Sequence, residues 1–336
     1  MIKKCITFLF LLLFLREVQG QDLHFSQFMY SPLNGNAANA GFFDGDLRAG
    51  ALHRRQWGSI TVPYKTFSAA ADAGMNLFTD KLPGVGAGIL FNHDQAGDGQ
   101  LTNLDVRLHL SYRLSLTEDS VHFIRAGIMG GFTQRNIDFN ELTFDEQFDG
   151  DAWDPLAPNG ETFARNTTSW MDLGAGIGWD MINERSRWQA GISATHLNRP
   201  NQSFYNTPVK RPVLWQFNLA SAIAINETFT LAPAAVFMLQ EKFTQLNFGA
   251  EGRIQMQEEK NKKYAIGLGL HYRLQDALIP SVALYWSKFR FGFSYDINTS
   301  GLRQVSNGRG GPEFSLTYIT RKIKARPQRS VICPVY

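Results

Sequence analysis

The fold class predicted from the sequence is all-β: one transmembrane outer-membrane-type barrel of about fourteen antiparallel strands with a short N-terminal plug or lead-in segment. Three observations predict it. Apolar and polar residues alternate with a period of two almost everywhere after residue 45. Successive side chains of a strand point to opposite faces, so each such segment carries one apolar and one polar face. Most segments run 10–14 residues, whereas globular strands average about five or six and a tilted membrane strand needs roughly nine to eleven. Tryptophans stand at segment ends, where a membrane barrel keeps its aromatic girdles.

Composition narrows the class. A charged fraction of 19% beside 26 Phe, 10 Tyr and 7 Trp excludes a disordered chain. A formal net charge of +3 gives no basic field for nucleic acid. Two cysteines build neither a disulfide framework nor a Cys-rich zinc site.

The first 20 residues read as a secretory signal peptide. Lys3 and Lys4 form a basic start, Cys5–Leu15 is apolar apart from Thr7, and Val18-Gln19-Gly20 offers a cleavage site before Gln21. That apolar run is too short to span a bilayer. Removing residues 1–20 takes Lys3, Lys4, Arg16 and Glu17 from 33 basic and 30 acidic residues, leaving 30 and 29. Residues 21–45 follow as an N-terminal motif segment, 46–321 as the barrel and 322–336 as a periplasmic tail.

The predicted strands, in order, are 46–57, 64–76, 84–94, 101–114, 121–134, 168–181, 187–198, 212–225, 228–240, 243–256, 263–274, 277–287, 289–298 and 312–321. Leu104–Leu114 alternates without a fault, and so does Phe289–Asp296. In 246–254 and 264–274 the polar face is mostly Gly, with Asn247, Glu251, Arg253, His271 and Arg273. Charges of both signs in mid-strand suit a water-filled or plugged lumen, not the core of a soluble sandwich. Trp57 closes the first strand, Trp170 and Trp179 flank the sixth, Trp188 and Trp215 open the seventh and eighth, and Trp286 closes the twelfth. The connections pass a parity test. The longest, about 135–167 and 199–211, are odd-numbered, and most even ones are short. Long outer loops with short periplasmic turns are the barrel rule.

Motifs at both ends carry a resemblance. Residues 25–41 contain Phe25-Ser26-Gln27-Phe28-Met29-Tyr30-Ser31-Pro32-Leu33, then Asn36-Ala37-Ala38-Asn39-Ala40-Gly41. Arg54-Arg55-Gln56-Trp57 ends the first strand. Phe293-Ser294-Tyr295-Asp296-Ile297-Asn298, Pro312-Glu313-Phe314-Ser315-Leu316 and Cys333-Pro334 follow near the other end. This set resembles the PorP/SprF family of type IX secretion membrane proteins: its Q-F-S-Q-Y-M-F-N-P-L and N-P-A-Y-A-G opening, R-x-Q-W, S-Y-D-x-N, H-E-I-S-L and terminal C-P. Ala37 and Asn39 depart from the Pro and Tyr of that opening. The resemblance implies a non-enzymatic outer-membrane component of the Bacteroidetes type IX secretion and gliding apparatus. Its implied partners are outer-membrane lipid, a secreted adhesin or its C-terminal sorting domain, and periplasmic ring components, with no nucleic acid, cofactor or metal. Candidate partner-binding or structural positions are Phe25, Gln27, Phe28, Pro32, Asn36, Gly41, Arg54, Gln56, Trp57, Tyr295, Asp296, Glu313 and Cys333. The alternative is a porin-like or long-chain fatty-acid-type transport barrel, since the Asn36-Ala37-Ala38 element is also similar to the lumen hatch of those transporters.

Other features stay open at this level. Residues 25–41 are either a plug or a packed lead-in. The acidic run Asp138–Glu161 is either a calcium or docking site or a solvated outer loop, and it lacks an Asp-x-Asp-x-Asp-Gly spacing. Gly84, Gly86 and Gly88, like Gly174, Gly176 and Gly178, imitate phosphate-loop spacing, but no helix follows. Small residues facing a barrel interior explain them better. Basic residues 321–329 are a binding tail or a soluble end. His53, His109 and His271 lie on predicted strands and could meet; a barrel phospholipase would require one Ser and one of these histidines side by side facing lipid.

Overall fold

The computed structural model describes residues 22–59, 62–75, 82, 84–152, 154, 156–158, 164–256, 264–301 and 303–320. Residues 1–20, expected to be a signal peptide, the basic residues 321–329 and Cys333 lie outside the described residues.

Fourteen strands form a closed antiparallel barrel in which each strand pairs with its sequence neighbours and the last closes on the first. They are β1 (Leu47–Gln56), β2 (Tyr64–Gly74), β3 (Val85–Ala96), β4 (Leu101–Ser115), β5 (His122–Asn136), β6 (Thr167–Ile182) and β7 (Ser186–Thr195). The second half comprises β8 (Leu214–Ala224), β9 (Phe229–Gln240), β10 (Phe243–Gln255), β11 (Tyr264–Arg273), β12 (Ala277–Trp286), β13 (Phe289–Asn298) and β14 (Arg309–Thr320). Every predicted strand is present. The last begins three residues earlier than expected, because Gly311 pairs with Asp296 and a register shift at Asp296/Ile297 skips Gly310 and lets Arg309 pair with Ile297, where no alternation announces a strand.

The alternation sorts the faces as a membrane barrel needs. Leu108, Ile128 and Leu268 on the outer face are more than 60% exposed, while Arg54, Arg125, Glu251 and Glu313 on the inner face are at most 2% exposed. Charge is buried inside and apolar surface is turned out, which is stable only where lipid surrounds the wall. No described helix is long and apolar enough to cross a membrane. Trp179, Trp215 and Trp286 face outward near the strand ends, as a girdle requires. Trp170 does not. It is 7% exposed and turns inward between the Arg135 and Arg211 guanidiniums, so the cations override its interfacial preference.

The segment before β1 occupies the lumen. It is built of short turns: Phe28–Tyr30 and Ala37–Asn39 as 3₁₀ turns around a helical turn, Pro32–Gly35, that Pro32 opens. It starts beside the β7–β8 connection, where Asp22 meets His196 and Arg211. It ends at the opposite mouth, where the Gly41 N–H reaches Asp72 near the end of β2. Of the two open possibilities, plug or lead-in, the geometry is that of a plug.

Candidate functional site: the clasped lumen

The plug is held by a series of clasps, each joining a plug residue to inward-facing strand residues. Glu313 on β14 centres one of them. Its two oxygens accept the backbone N–H groups of Ser26 (2.8 Å) and Gln27 (2.7 Å). Gln27 Nε2 donates back to the Glu313 carbonyl at 3.1 Å, and Ser315 Oγ donates to Gln27 Oε1 at 2.7 Å. Ser26 Oγ donates to Asp296 at 2.6 Å. Arg54 on β1 ties the group together, pairing with Asp296 at 2.7 Å and donating to the His24 carbonyl at 2.6 Å. Arg273 adds a second guanidinium to Asp296. Both carboxylates are thus paired and hydrogen-bonded, the condition under which buried charge is tolerated.

Motifs far apart in sequence meet here. Gln27, Arg54, Asp296 and Glu313 come from four separate motifs, and Phe25, buried at 4%, sits beside them. Phe28 packs edge-on against His271 (6.0 Å, 88°) and against Leu214, Val236 and Met238. Asn36 donates to the Ile177 and Ile192 carbonyls at 2.9 and 3.2 Å and caps the turn at Ala38. Pro32 starts the helical turn and its carbonyl accepts Asn39 Nδ2 at 2.9 Å. Gly41 has φ +71°, and a Cβ there would lie 2.6 Å from the Ala73 carbonyl, so only glycine fits. Gln56 and Trp57 stay at the rim, where Trp57 meets Tyr64 (4.8 Å, 65°). Tyr295 pairs with Pro312 on the outer face, away from the clasp.

The structure adds clasps whose strand partners no motif marks. Asp22 pairs with His196 Nε2 (2.6 Å) and Arg211 (2.5 Å), while His196 Nδ1 faces Asp172 at 2.5 Å. Tyr30 O–H reaches both Glu251 oxygens at 3.1 Å, with the Arg290 guanidinium 3.0 Å over its ring. Arg125 donates to the Ala38 carbonyl and Asn39 Oδ1, and Ser111 to the Ala40 carbonyl. The available signal was parity alone: each strand residue of this set is polar at a position whose neighbours are apolar.

Two plug groups have displaced titrations. Burial raises the Asp22 carboxyl, but the Arg211 and His196 charges outweigh it and hold it well below the usual carboxylate range. Burial, then the Arg54 and Arg273 charges, push the His24 imidazole well below its ordinary value.

A glycine from each run, and Gly127 besides, finds its reason in the plug. A Cβ at Gly86 would fall on the Ala40 carbonyl, at Gly127 on Ala37 and Ala38, and at Gly176 on the Asn36 side chain. The wall is thinned where the plug approaches it.

The three strand histidines do not meet. His53 faces outward between Phe67 and Phe314, whereas His109 and His271 are buried on the inner face of β4 and β11. Strand parity separates His53 from the other two, and the lipid-facing cross-strand neighbours of His53 are Phe67 and Phe314, not Ser. In the acidic loop, Asp149 Oδ1 accepts the Asp151 and Ala152 N–H groups, both at 2.8 Å. Among the described residues no group of three or more His, Cys, Asp or Glu gathers to hold a metal.

A closed, lipid-facing, internally plugged fourteen-strand sheet defines the class: an outer-membrane β-barrel. The chain belongs to the family of type IX secretion system membrane proteins PorP/SprF, which matches residues 17–318. No curated protein matches the chain. Among solved structures it is similar to a Pseudomonas aeruginosa FadL homologue (10% identity, 84% of this chain and 92% of that one, TM-score 0.47). It is also similar to the CymD monoaromatic hydrocarbon channel (9%, 84% and 90%, 0.45) and to the NanC porin (8%, 82% and 100%, 0.40). The fold assignment rests on the closed sheet itself, and these likenesses say nothing of what this chain binds.

Proposed function

We propose that this type IX secretion membrane barrel is a non-enzymatic anchor that holds or delivers a secreted partner, an adhesin with a C-terminal sorting domain, at the outer membrane. The clasped lumen carries this reading. A through-channel needs an open bore, and here the bore is occupied by a segment bonded to strands on several sides. The charged groups at its centre are engaged in seating the plug, which supports a scaffold over a catalyst. The void left beside the plug, lined by Phe28, Val236 and Met238, is about 300 Å³.

The test is a gentle detergent pull-down of the tagged protein from its native envelope, read by mass spectrometry. Recovery of a large secreted protein bearing a C-terminal sorting domain, or of periplasmic ring components, supports the anchor. Recovery of the barrel alone together with measurable conductance in a planar bilayer refutes it and favours the transport barrel.

A further inference from the structure

The outer wall carries a cationic arc that the plug does not explain. Arg55 and Lys65 stand directly opposite each other on β1 and β2, both exposed on the outward face. Like charges so placed repel unless something neutralises them. Arg309 on β14 pairs with the outward-facing Ile297 and is also exposed, and Arg303 is exposed in the β13–β14 connection just beyond it. Among the described residues no salt bridge engages any of the four. The stretches 55–71 and 297–312 contain no Asp or Glu. The same rim varies elsewhere: the β7–β8 connection also carries exposed Arg199 and Lys210 without acids, whereas Lys242 follows Glu241, and the loop across the barrel carries Asp138, Glu141, Asp145, Glu146, Asp149, Asp151 and Asp154. The arc is a local excess of positive charge.

Its height matters. All four cations stand at the end of the barrel that carries the long loops, the cell-exterior end by the barrel rule. Trp57 and Tyr64, an aromatic pair beside them, mark headgroup level. Down the same face lies a groove of about 490 Å³ lined by Ala51, His53, Phe67, Leu284, Phe293 and Phe314. The Phe293 and Phe314 rings are 5.1 Å apart in it. His53 and Ala51 are two and four residues from Arg55 on the same face, so arc and groove are continuous along β1.

We propose that arc and groove bind a phosphorylated, several-chain glycolipid of the outer leaflet. Its phosphate bridges Arg55 and Lys65, and one acyl chain fills the groove. A zwitterionic phospholipid brings no net negative charge to four uncompensated cations, whereas a lipid with two phosphates on a sugar does. Cations at the headgroup and an apolar slot beneath match that lipid and no soluble anion.

The experiment is native mass spectrometry of the full-length protein in detergent, titrated with bisphosphorylated lipid A, the same lipid with its phosphates removed, and phosphatidylethanolamine. Wild type is expected to retain bisphosphorylated lipid A and to lose at least about tenfold in affinity in R55Q/K65Q. The dephosphorylated lipid should show a similar loss, and K242Q should bind as wild type. Equal retention of the three lipids, or a double variant that binds like wild type, overturns the proposal. If the double variant does not fold, the single variant R309Q and a salt titration of wild type decide. Binding that does not weaken between about 0.05 and about 0.5 M salt is then the overturning result.

Discussion

The two walls of the lumen treat the plug differently. On the side of β13, β14 and β1 the inner face is charged: Asp296, Glu313 and Arg54 are all at most 2% exposed and all engage residues 24–27. Across the bore, β8 and β9 present Leu214, Ala232, Ala234, Val236 and Met238, and the void beside the plug opens against this wall. One wall fixes the plug by directional bonds to buried charges. The other supplies mostly nondirectional contact, with the Asp22 N–H donated to Gln240 Oε1 at 3.3 Å at its end, and leaves space. Position is therefore set on one side, and tolerance resides on the other.

Breaking the charged wall should have the largest effect. Glu313→Ala strands Arg54 beside a single carboxylate and frees two plug N–H groups. Removing one partner of a buried charged set costs about 3–5 kcal/mol. The expected outcome is a plug that leaves its seat, read as new conductance in planar bilayers and a lower temperature for converting the folded gel band. An E313A barrel that conducts no more than wild type and converts at the same temperature would remove the clasp from its assigned place.

Gly176→Val comes next. Its Cβ falls on the Asn36 side chain, and overpacking of this kind costs about 1–3 kcal/mol. The same gel assay should show a downward shift, with β content by circular dichroism retained.

The pH response sharpens the comparison, because the plug carries two displaced groups of its own whose variants can be compared with wild type. His24 has its folded-state titration depressed, so the unfolded chain takes up a proton first as pH falls through the ordinary value of 6.5. The stability of the seated plug is full above that pH and declines below it. Asp22 is also depressed, so its contribution is full above the ordinary 3.8 and is lost only as pH falls further. Two acid steps are expected, read as gel-band stability across pH 7 to 3. His24→Gln should shrink the upper step and Asp22→Asn the lower. Persistence of both steps at full size in both variants contradicts the assignment.

The apolar wall should be least sensitive. Val236→Leu grows into the void and should change stability by less than about 1.5 kcal/mol with no gain in conductance. A loss as large as that of E313A would mean the two walls are equally critical.

Reading the sequence reached the strands well and the interior only in part. Fourteen segments were legible because lipid outside and polar groups inside impose a two-residue period on every strand. The motif positions were legible as positions, but their convergence was not: Gln27 and Glu313 lie 286 residues apart along the chain and meet in one hydrogen-bonded group. Asp22, Arg125 and His196 carry no such signal, because a polar inward residue looks the same in sequence whether it faces water, a plug or another charge. Trp170 and His53 show the limit from the other direction. A tryptophan at a strand end was assigned to the membrane interface and lies between two arginines, and a histidine considered for chemistry faces outward between two phenylalanines.

What the sequence by itself determined is the barrel: strand number, face assignment, loop parity and family. These follow from local alternation, which each strand must satisfy on its own against lipid. What only the tertiary structure decided is the state of the lumen. Whether the first segment fills the bore, which charges meet and which glycines make room all depend on contacts between residues that share no local pattern. Ring closure brings β14 against β1 and sets Glu313 and Arg54 side by side with Gln27, and no period along the chain encodes that meeting.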